Sequence, residues 1–158
     1  MSPHAGGAST GIAIREATRD DVPAIVALER VSFNNPWSAE SMHAFLDRET
    51  ARILVAVRGP ELVGYAIIAW VLDEAELANI AVAPADRGRG VGAQLLDDGL
   101  ARLAALGVRT VFLEVRGANA VAQRLYGSRG FVPVGRRRAY YENPVDDAVL
   151  MRRGAAMD

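Results

Sequence analysis

The period of the apolar positions changes several times along the chain, and each change predicts an element. Ile12 to Ala17 alternates as a strand does. Thr18-Arg19-Asp20-Asp21 has the form of a loose capping box, with acids in the first turn of the next element. From there the period is helical. Val22, Ile25, Val26 and Glu29 share a face, and the helix runs to about Phe33, where Asn34-Asn35-Pro36 breaks it. Ser38 caps a second, short helix through about Asp47. Arg52 to Val57 and Leu62 to Leu72 read as strands joined by the Gly59-Pro60 turn, which makes a hairpin. After a turn at Asp73-Glu74, Glu76 to Ala83 is a fourth strand that Pro84 ends. Arg89 to Leu106 is the longest helix, with Val91, Leu95, Leu96, Leu100 and Leu103 on one broad face and Gly107 as its stop. Arg109 to Arg116 is strongly β. Ala118 or Asn119 opens a helix that ends near Gly130, and Phe131 to Arg138 and Ala148 to Arg152 are the last strands.

The predicted order is β-α-α-β-β-β-α-β-α-β-β. Hairpins come first, and a β-α-β crossover in the middle sets the fourth and fifth strands parallel. The fold class is therefore α/β in the mixed sense: three layers around a predominantly antiparallel sheet with one parallel central pair. The expected organisation is a disordered tail over residues 1–11, a single domain over 12–153 and a short tail over 154–158.

Composition narrows the chemistry. The chain has 158 residues, 51% of them apolar and 23% charged, enough to build one packed core. Its 18 basic and 19 acidic residues nearly cancel, which argues against a nucleic-acid coat or a polybasic membrane binder. Every basic residue is Arg. With no Lys, a Walker A phosphate loop is excluded. With no Cys, so are disulfides, thiol nucleophiles and thiolate zinc sites. The two His, His4 and His43, leave little for a metal site, and none is expected. The apolar run Leu62 to Leu72 is too short to span a bilayer. The Ser/Gly/Ala-rich start does not have the build of a secretory signal, so the expectation is a cytoplasmic protein.

Three features stand out against that background. Arg87-Gly88-Arg89-Gly90-Val91-Gly92 follows a strand and opens the longest helix. Glycines let backbone approach a ligand closely, and the amides of a helix N-terminus favour an anion, so the loop fits a pyrophosphate cradle. It departs from the dinucleotide fingerprint G-x-G-x-x-G because its third Gly falls one position early. Glu114 is a lone carboxylate in the apolar strand Val111-Phe112-Leu113-Glu114-Val115. It is either a solvent-facing strand-end residue or a general base in a cleft, with its pKa raised by desolvation. Tyr126 lies near the end of the next helix and Asn119 at its start. Taken alone, they read as a core tyrosine and an N-cap. Phe33, Pro36 and Trp37, with Arg136-Arg137-Arg138 and Tyr140-Tyr141, place aromatics and Arg on loops that can border a peptide cleft.

These pieces resemble the GCN5-related N-acetyltransferases, whose motif Q/R-x-x-G-x-G/A is matched by Arg87-x-x-Gly90-x-Gly92 after Ile80-Ala81-Val82. More narrowly, four segments are similar to the RimI type, the ribosomal-protein alanine N-acetyltransferases. They are Phe33 through Pro36-Trp37-Ser38, Ala78 to Val82, Phe112 to Arg116 with Asn119, and Arg137-Arg138-Ala139-Tyr140-Tyr141. The resemblance extends from about Ile12 to Arg153. RimI-like chains carry Ser where this one has Ala118.

The resemblance implies acetyl-CoA as donor, held by the backbone of Ile80, Ala81 and Val82, by Arg87, Gly88, Arg89, Gly90, Val91, Gly92 and Ala93, and by Asn119. Its pantetheine arm would lie where the fourth and fifth strands splay apart. Glu114 is implied as proton acceptor and Tyr126 as proton donor, the latter acting through a hydrogen bond or a somewhat lowered pKa. Trp37 and Tyr140 would border the acceptor, a protein N-terminus and in particular the N-terminal Ala of a small-subunit ribosomal protein. The protein is expected to be a monomer or weak dimer with no direct contact to nucleic acid or membrane. Two other readings stay open: the same fold acting on a Lys side chain, a small metabolite or an antibiotic, and a non-catalytic acyl-CoA-binding module.

Overall fold

The computed structural model describes residues 11–142 and 144–154. The tails expected at residues 1–11 and 154–158 therefore lie outside the described residues, apart from Gly11 and Gly154. The strands are β1 (Ala13–Glu16), β2 (Ala51–Arg58), β3 (Glu61–Val71), β4 (Glu74–Val82), β5 (Thr110–Arg116), β6 (Val132–Tyr141) and β7 (Asp146–Gly154). The helices are α1 (Val22–Ser32), α2 (Ala39–Asp47), α3 (Val91–Ala105) and α4 (Ala120–Ser128). This is the predicted order. The strands form one seven-stranded sheet, β1-β2-β3-β4-β5-β7-β6, antiparallel except at β4–β5.

Local signals explain most boundaries. The Thr18 backbone N–H donates to Asp21 Oδ2 at 2.8 Å, and a short 3₁₀ turn over Arg19–Asp21 leads into α1. Ser38 caps α2 by accepting from Ser41 N at 3.1 Å. The fourth strand begins at Glu74, two residues earlier than expected, and the last strand extends two residues further at each end. Two other differences bear on the site. The long helix starts at Val91 rather than Arg89, because Gly90 is its N-cap and sits at φ +85°, a left-handed conformation outside the helix. Tyr140 and Tyr141 lie on β6 rather than on a loop, since β6 continues past an irregularity in its pairing with β7 between Arg137 and Tyr141.

The sheet separates two apolar layers. On one face Leu95, Leu96, Leu100 and Leu103 of α3 pack with Leu54, Ile68, Leu77, Leu113, Met151 and Tyr126. On the other, Val22, Ile25 and Val26 of α1 and Met42 of α2 cover Ile53, Val55, Tyr65, Ile67 and Ala81. This second layer takes its buried strand residues from β2, β3 and β4 only. The same face of β5, β7 and β6 is left open.

The β4–β5 pair sets up the site. Its parallel register is Glu74 with Thr110, Ala75 with Val111 and Glu76 with Phe112, and it stops there. Just beyond, the β3–β4 register shifts so that Ile68 faces Leu77 while Ile67 faces Asn79, which leaves Ala78 as a bulge. The bulge reverses the alternation of β4. Ala75 and Leu77 face α3 before it, whereas Ala81 faces α1 after it. The two parallel strands thus part, as the resemblance implies for the fourth and fifth strands.

Gly64 of β3 lets α3 approach this region. A Cβ there would lie 3.0 Å from the Ala81 carbonyl oxygen, 3.1 Å from Leu95 Cδ1 and 3.3 Å from Val91 Cγ1. Gly64→Ala is expected to destabilise the fold by about 1–3 kcal/mol, because a backbone oxygen cannot give way as a side chain can. Urea denaturation checks this; an unchanged midpoint would show that β4 shifts freely.

Candidate active site

A cleft of about 520 Å³ opens on the uncovered half of the sheet face. Trp70, Glu76, Phe112, Glu114, Arg137 and Tyr140 line it, and Arg48 closes the end next to α2. Glu114 stands on β5 past Phe112, the last residue paired with β4, and so at the gap between the parting strands. Its side chain is 23% exposed, which fits a cleft rather than the open surface. Val111, Leu113 and Val115 alternate with it and point into the α3 layer. Arg137 Nε lies 3.3 Å from Glu114 Oε2. The carboxylate therefore meets a cation as well as a partly dry wall.

Tyr126 lies on the other side of the sheet. It belongs to the α3 layer, only 6% exposed, with its ring edge-on to Phe131 at 5.8 Å. Burial, reinforced by the neighbouring Tyr141, pushes its phenol up to about 12. The lowered pKa considered from sequence is thus reversed, because a phenolate in this layer loses more hydration than any cation nearby restores. Tyr141 is also held above its ordinary value, by burial and then by Glu114, and its ring carries the Arg116 guanidinium at 4.3 Å. Tyr141 therefore lies within electrostatic reach of both Glu114 and Tyr126.

Trp37 does not line the cleft itself. Its ring stacks on Phe45 at 5.1 Å, and Phe45 in turn carries Arg48 at 5.8 Å, which forms the wall. Tyr140 does line it and follows Ala139, one of two non-glycine residues with positive φ among those described. Asp147 holds this kink by accepting from Ala139 N at 2.8 Å and from Arg136 Nε at 2.8 Å, contacts that keep its carboxyl below the usual range. Of the Arg triplet, Arg136 is structural and Arg137 reaches the carboxylate. Neither the Arg137–Glu114 pair nor the wall made by Trp70 and Arg48 was legible in the sequence, because each joins strands or helices distant along the chain.

The glycine loop lies at the other end of β4. Gly88 and Gly90 both have positive φ, at 76° and 85°, and a Cβ on either would meet open space. The first amide of α3 to bond back is Gln94 N, to Gly90 O at 3.0 Å. The amides of Val91, Gly92 and Ala93 therefore remain orphan donors at the positive end of the helix dipole. Arg87 Nε ties the loop to the end of β4 by donating to Val82 O at 3.0 Å, and Arg89 is exposed. Free amides, open space and positive charge together fit a diphosphate. Asn119 caps α4 through its Oδ1, which accepts from Ala122 N at 3.1 Å. Ala118, where the resembled type has Ser, is held through its own N–H to Asp146 Oδ2 at 3.0 Å. Among the described residues no group of His, Asp and Glu is arranged to hold a metal, and no helix is long and apolar enough to cross a membrane.

A mixed sheet whose one parallel pair splays beside a glycine-opened helix is the architecture of an acyl-CoA-dependent transferase, and the comparisons agree. Residues 22–131 match the acetyltransferase (GNAT) family, and the chain belongs to it. It is an acetyl-CoA-dependent N-acetyltransferase of the RimI-like kind. The [ribosomal protein bS18]-alanine N-acetyltransferase of Salmonella typhimurium is 38% identical over 135 residues, 83% of this chain and 89% of that one. The crystal structure of the Escherichia coli ribosomal-protein-S18-alanine N-acetyltransferase superposes with a TM-score of 0.85 at 34% identity, covering 93% of this chain and 96% of that one. The NatC complex bound to Gag peptide and CoA shares the fold, with a TM-score of 0.82 at 20% identity over 92% of this chain and 99% of that one.

The Tyr126 environment makes a spectroscopic prediction. A phenol whose folded pKa lies above its unfolded value stabilises the fold below the unfolded pKa, and that contribution is lost as pH rises from 10 toward about 12. The difference between the ultraviolet titrations of wild type and Tyr126→Phe should have its midpoint near 12. A midpoint below 10 would show that the ring is hydrated.

Proposed function

We propose that this protein, through a catalytic domain spanning residues 12–153, acetylates the α-amine of an N-terminal alanine on a ribosomal protein in the cytoplasm, acting as a monomer or weak dimer. The observation that carries this reading is the position of Glu114. It stands at the mouth of the β4–β5 gap, with an open cleft on one side and the strand ends leading to the glycine loop on the other. The similarity to alanine N-acetyltransferases along nearly their whole length supports the acceptor class.

When bound, acetyl-CoA supplies an acetyl group activated as a thioester. Its diphosphate would be held by the amides of Val91, Gly92 and Ala93 with Gly88, Gly90 and Arg89. Ile80, Ala81, Val82 and Asn119 would hold the rest, with Arg87 bracing the loop. Glu114 takes the proton of the attacking amine, directly or through one water. A backbone N–H within Ile80–Val82 stabilises the charge that builds on the acetyl oxygen. Tyr126 would keep its proton and offer a hydrogen bond to the departing thiolate. Full transfer from a phenol near 12 to a thiolate near 8.5 is uphill by about 5 kcal/mol, so Tyr126 acts by donating a hydrogen bond and keeping its proton.

Amine chemistry favours an N-terminus. An α-amine of pKa 7.7–8.0 is neutral roughly one time in ten at pH 7, against about 0.04% for Lys. A single carboxylate without further tuning therefore suffices for the first and is poorly matched to the second. Trp37, through Phe45 and Arg48, and Tyr140 border the acceptor.

The test is a mass-spectrometric assay with acetyl-CoA and two peptides, one with a free N-terminal Ala and no Lys, the other N-blocked with one internal Lys. Acetylation of the first alone is expected. Acetylation of the second alone would make the protein a lysine acetyltransferase, and reaction with neither would leave a small amine or a binding role. Tyr126→Phe should slow the chemical step about 10- to 100-fold with little change in acetyl-CoA affinity. Glu114→Gln should lose most activity at the low end of the pH range, where the amine is most fully protonated; a ratio to wild type that is flat with pH would remove it as the base.

A further inference from the structure

One buried carboxylate is not used by this mechanism. Glu29 lies on the apolar stripe of α1 and is 1% exposed. No Arg pairs with it among the described residues; three neutral donors surround it instead. Trp37 N donates to Oε2 at 3.0 Å, and Asn79 Nδ2 donates to Oε1 at 2.9 Å. The Tyr65 hydroxyl, itself fully buried, also donates to Oε1. Asn79 Nδ2 lies 3.4 Å from the same hydroxyl, which closes the network.

The donors come from separate elements. Trp37 belongs to the segment between α1 and α2, Tyr65 to β3, and Asn79 to β4 immediately after the Ala78 bulge and immediately before Ile80. A buried carboxylate costs more than an apolar residue of the same size, so stability alone does not call for one at this stripe position. What an apolar residue cannot do is hold two segments at a fixed separation. One oxygen grips the acceptor-side segment and the other grips the strand beside the gap.

We infer that Glu29 is a positioning residue, which sets the Trp37 segment against β4 so that the acceptor amine meets Glu114 at the gap. The inference rests on the proposed acceptor side of the cleft and adds the residue that holds that side in place. The network also gives a physical reason for the Ala78 bulge. Without the reversed alternation, the side chain of Asn79 would point toward α3 and away from Glu29.

Glu29→Gln separates the two grips. A Gln side chain has one acceptor oxygen, so it can accept from Trp37 N or from the Tyr65–Asn79 pair but not from both, and Asn79 or Trp37 loses its acceptor. The expected result is a rise of about tenfold in KM for the Ala-terminal peptide, with kcat within about threefold and acetyl-CoA affinity within about twofold. Acrylamide quenching of Trp37, read in a Trp70→Phe background because these are the two Trp of the chain, should increase in the same variant. Tyr65→Phe, which deletes only a hydroxyl, should move both readouts in the same direction by a smaller amount, and it serves if Glu29→Gln does not fold. An unchanged peptide KM overturns the inference whatever the quenching shows. If the wild-type protein acetylates no peptide, the acceptor reading itself falls, and quenching alone decides whether Glu29 holds the segment.

Discussion

The site depends on a parallel ladder that ends early. β4 and β5 share three register positions and then diverge, although both strands run on for several residues. Backbone groups left without a ladder partner inside a protein are costly, so such a gap persists only where something else compensates them. Here the Ala78 bulge turns β4 away, Gly64 lets α3 and the β4 backbone pack closely behind it, and Arg87 caps the last β4 carbonyl from the loop. Past Glu76, the edge of β4 that faces β5 has no ladder partner in that strand, while its other edge stays paired with β3 through Val82.

Around that gap the polar groups are divided by face. Glu114 is on the open face, beside Arg137 and lining the cleft. Tyr126 is in the closed layer, where burial keeps the phenol protonated. Tyr141 lies within electrostatic reach of both Glu114 and Tyr126. The outer edge of the sheet shows a different constraint. β6 is exposed along nearly its whole length, yet it carries Pro133, Gly135, three Arg and two register irregularities, features that discourage pairing with another chain.

Most of the fold was legible because its signals are local. Alternation, helical period, Ser38 and Gly107 marked the elements in their observed order, and the loop from Arg87 to Gly92 stood out because two of its glycines adopt conformations that other residues avoid. Glu114 was visible as a lone carboxylate in an otherwise apolar strand. Glu29 is a similar exception on α1, yet a single acid on a helix face is indistinguishable from a boundary residue until its donors are known. The two bulges left no mark, since Ala78 and Ala139 are ordinary residues placed by pairing with other strands.

The sequence by itself determined which elements form, and it picked out the glycine-rich start of α3, a lone carboxylate on β5 and a tyrosine on α4. These follow from backbone preferences and side-chain type, which act over a few residues. Only the tertiary structure decided that Glu114 pairs with Arg137, that the Tyr126 pKa rises rather than falls, that Trp37 reaches the cleft through Phe45 and Arg48, and that Glu29 joins three elements. Desolvation and Coulomb interactions depend on distance in space, and in a sheet ordered β1-β2-β3-β4-β5-β7-β6 that distance bears little relation to separation along the chain.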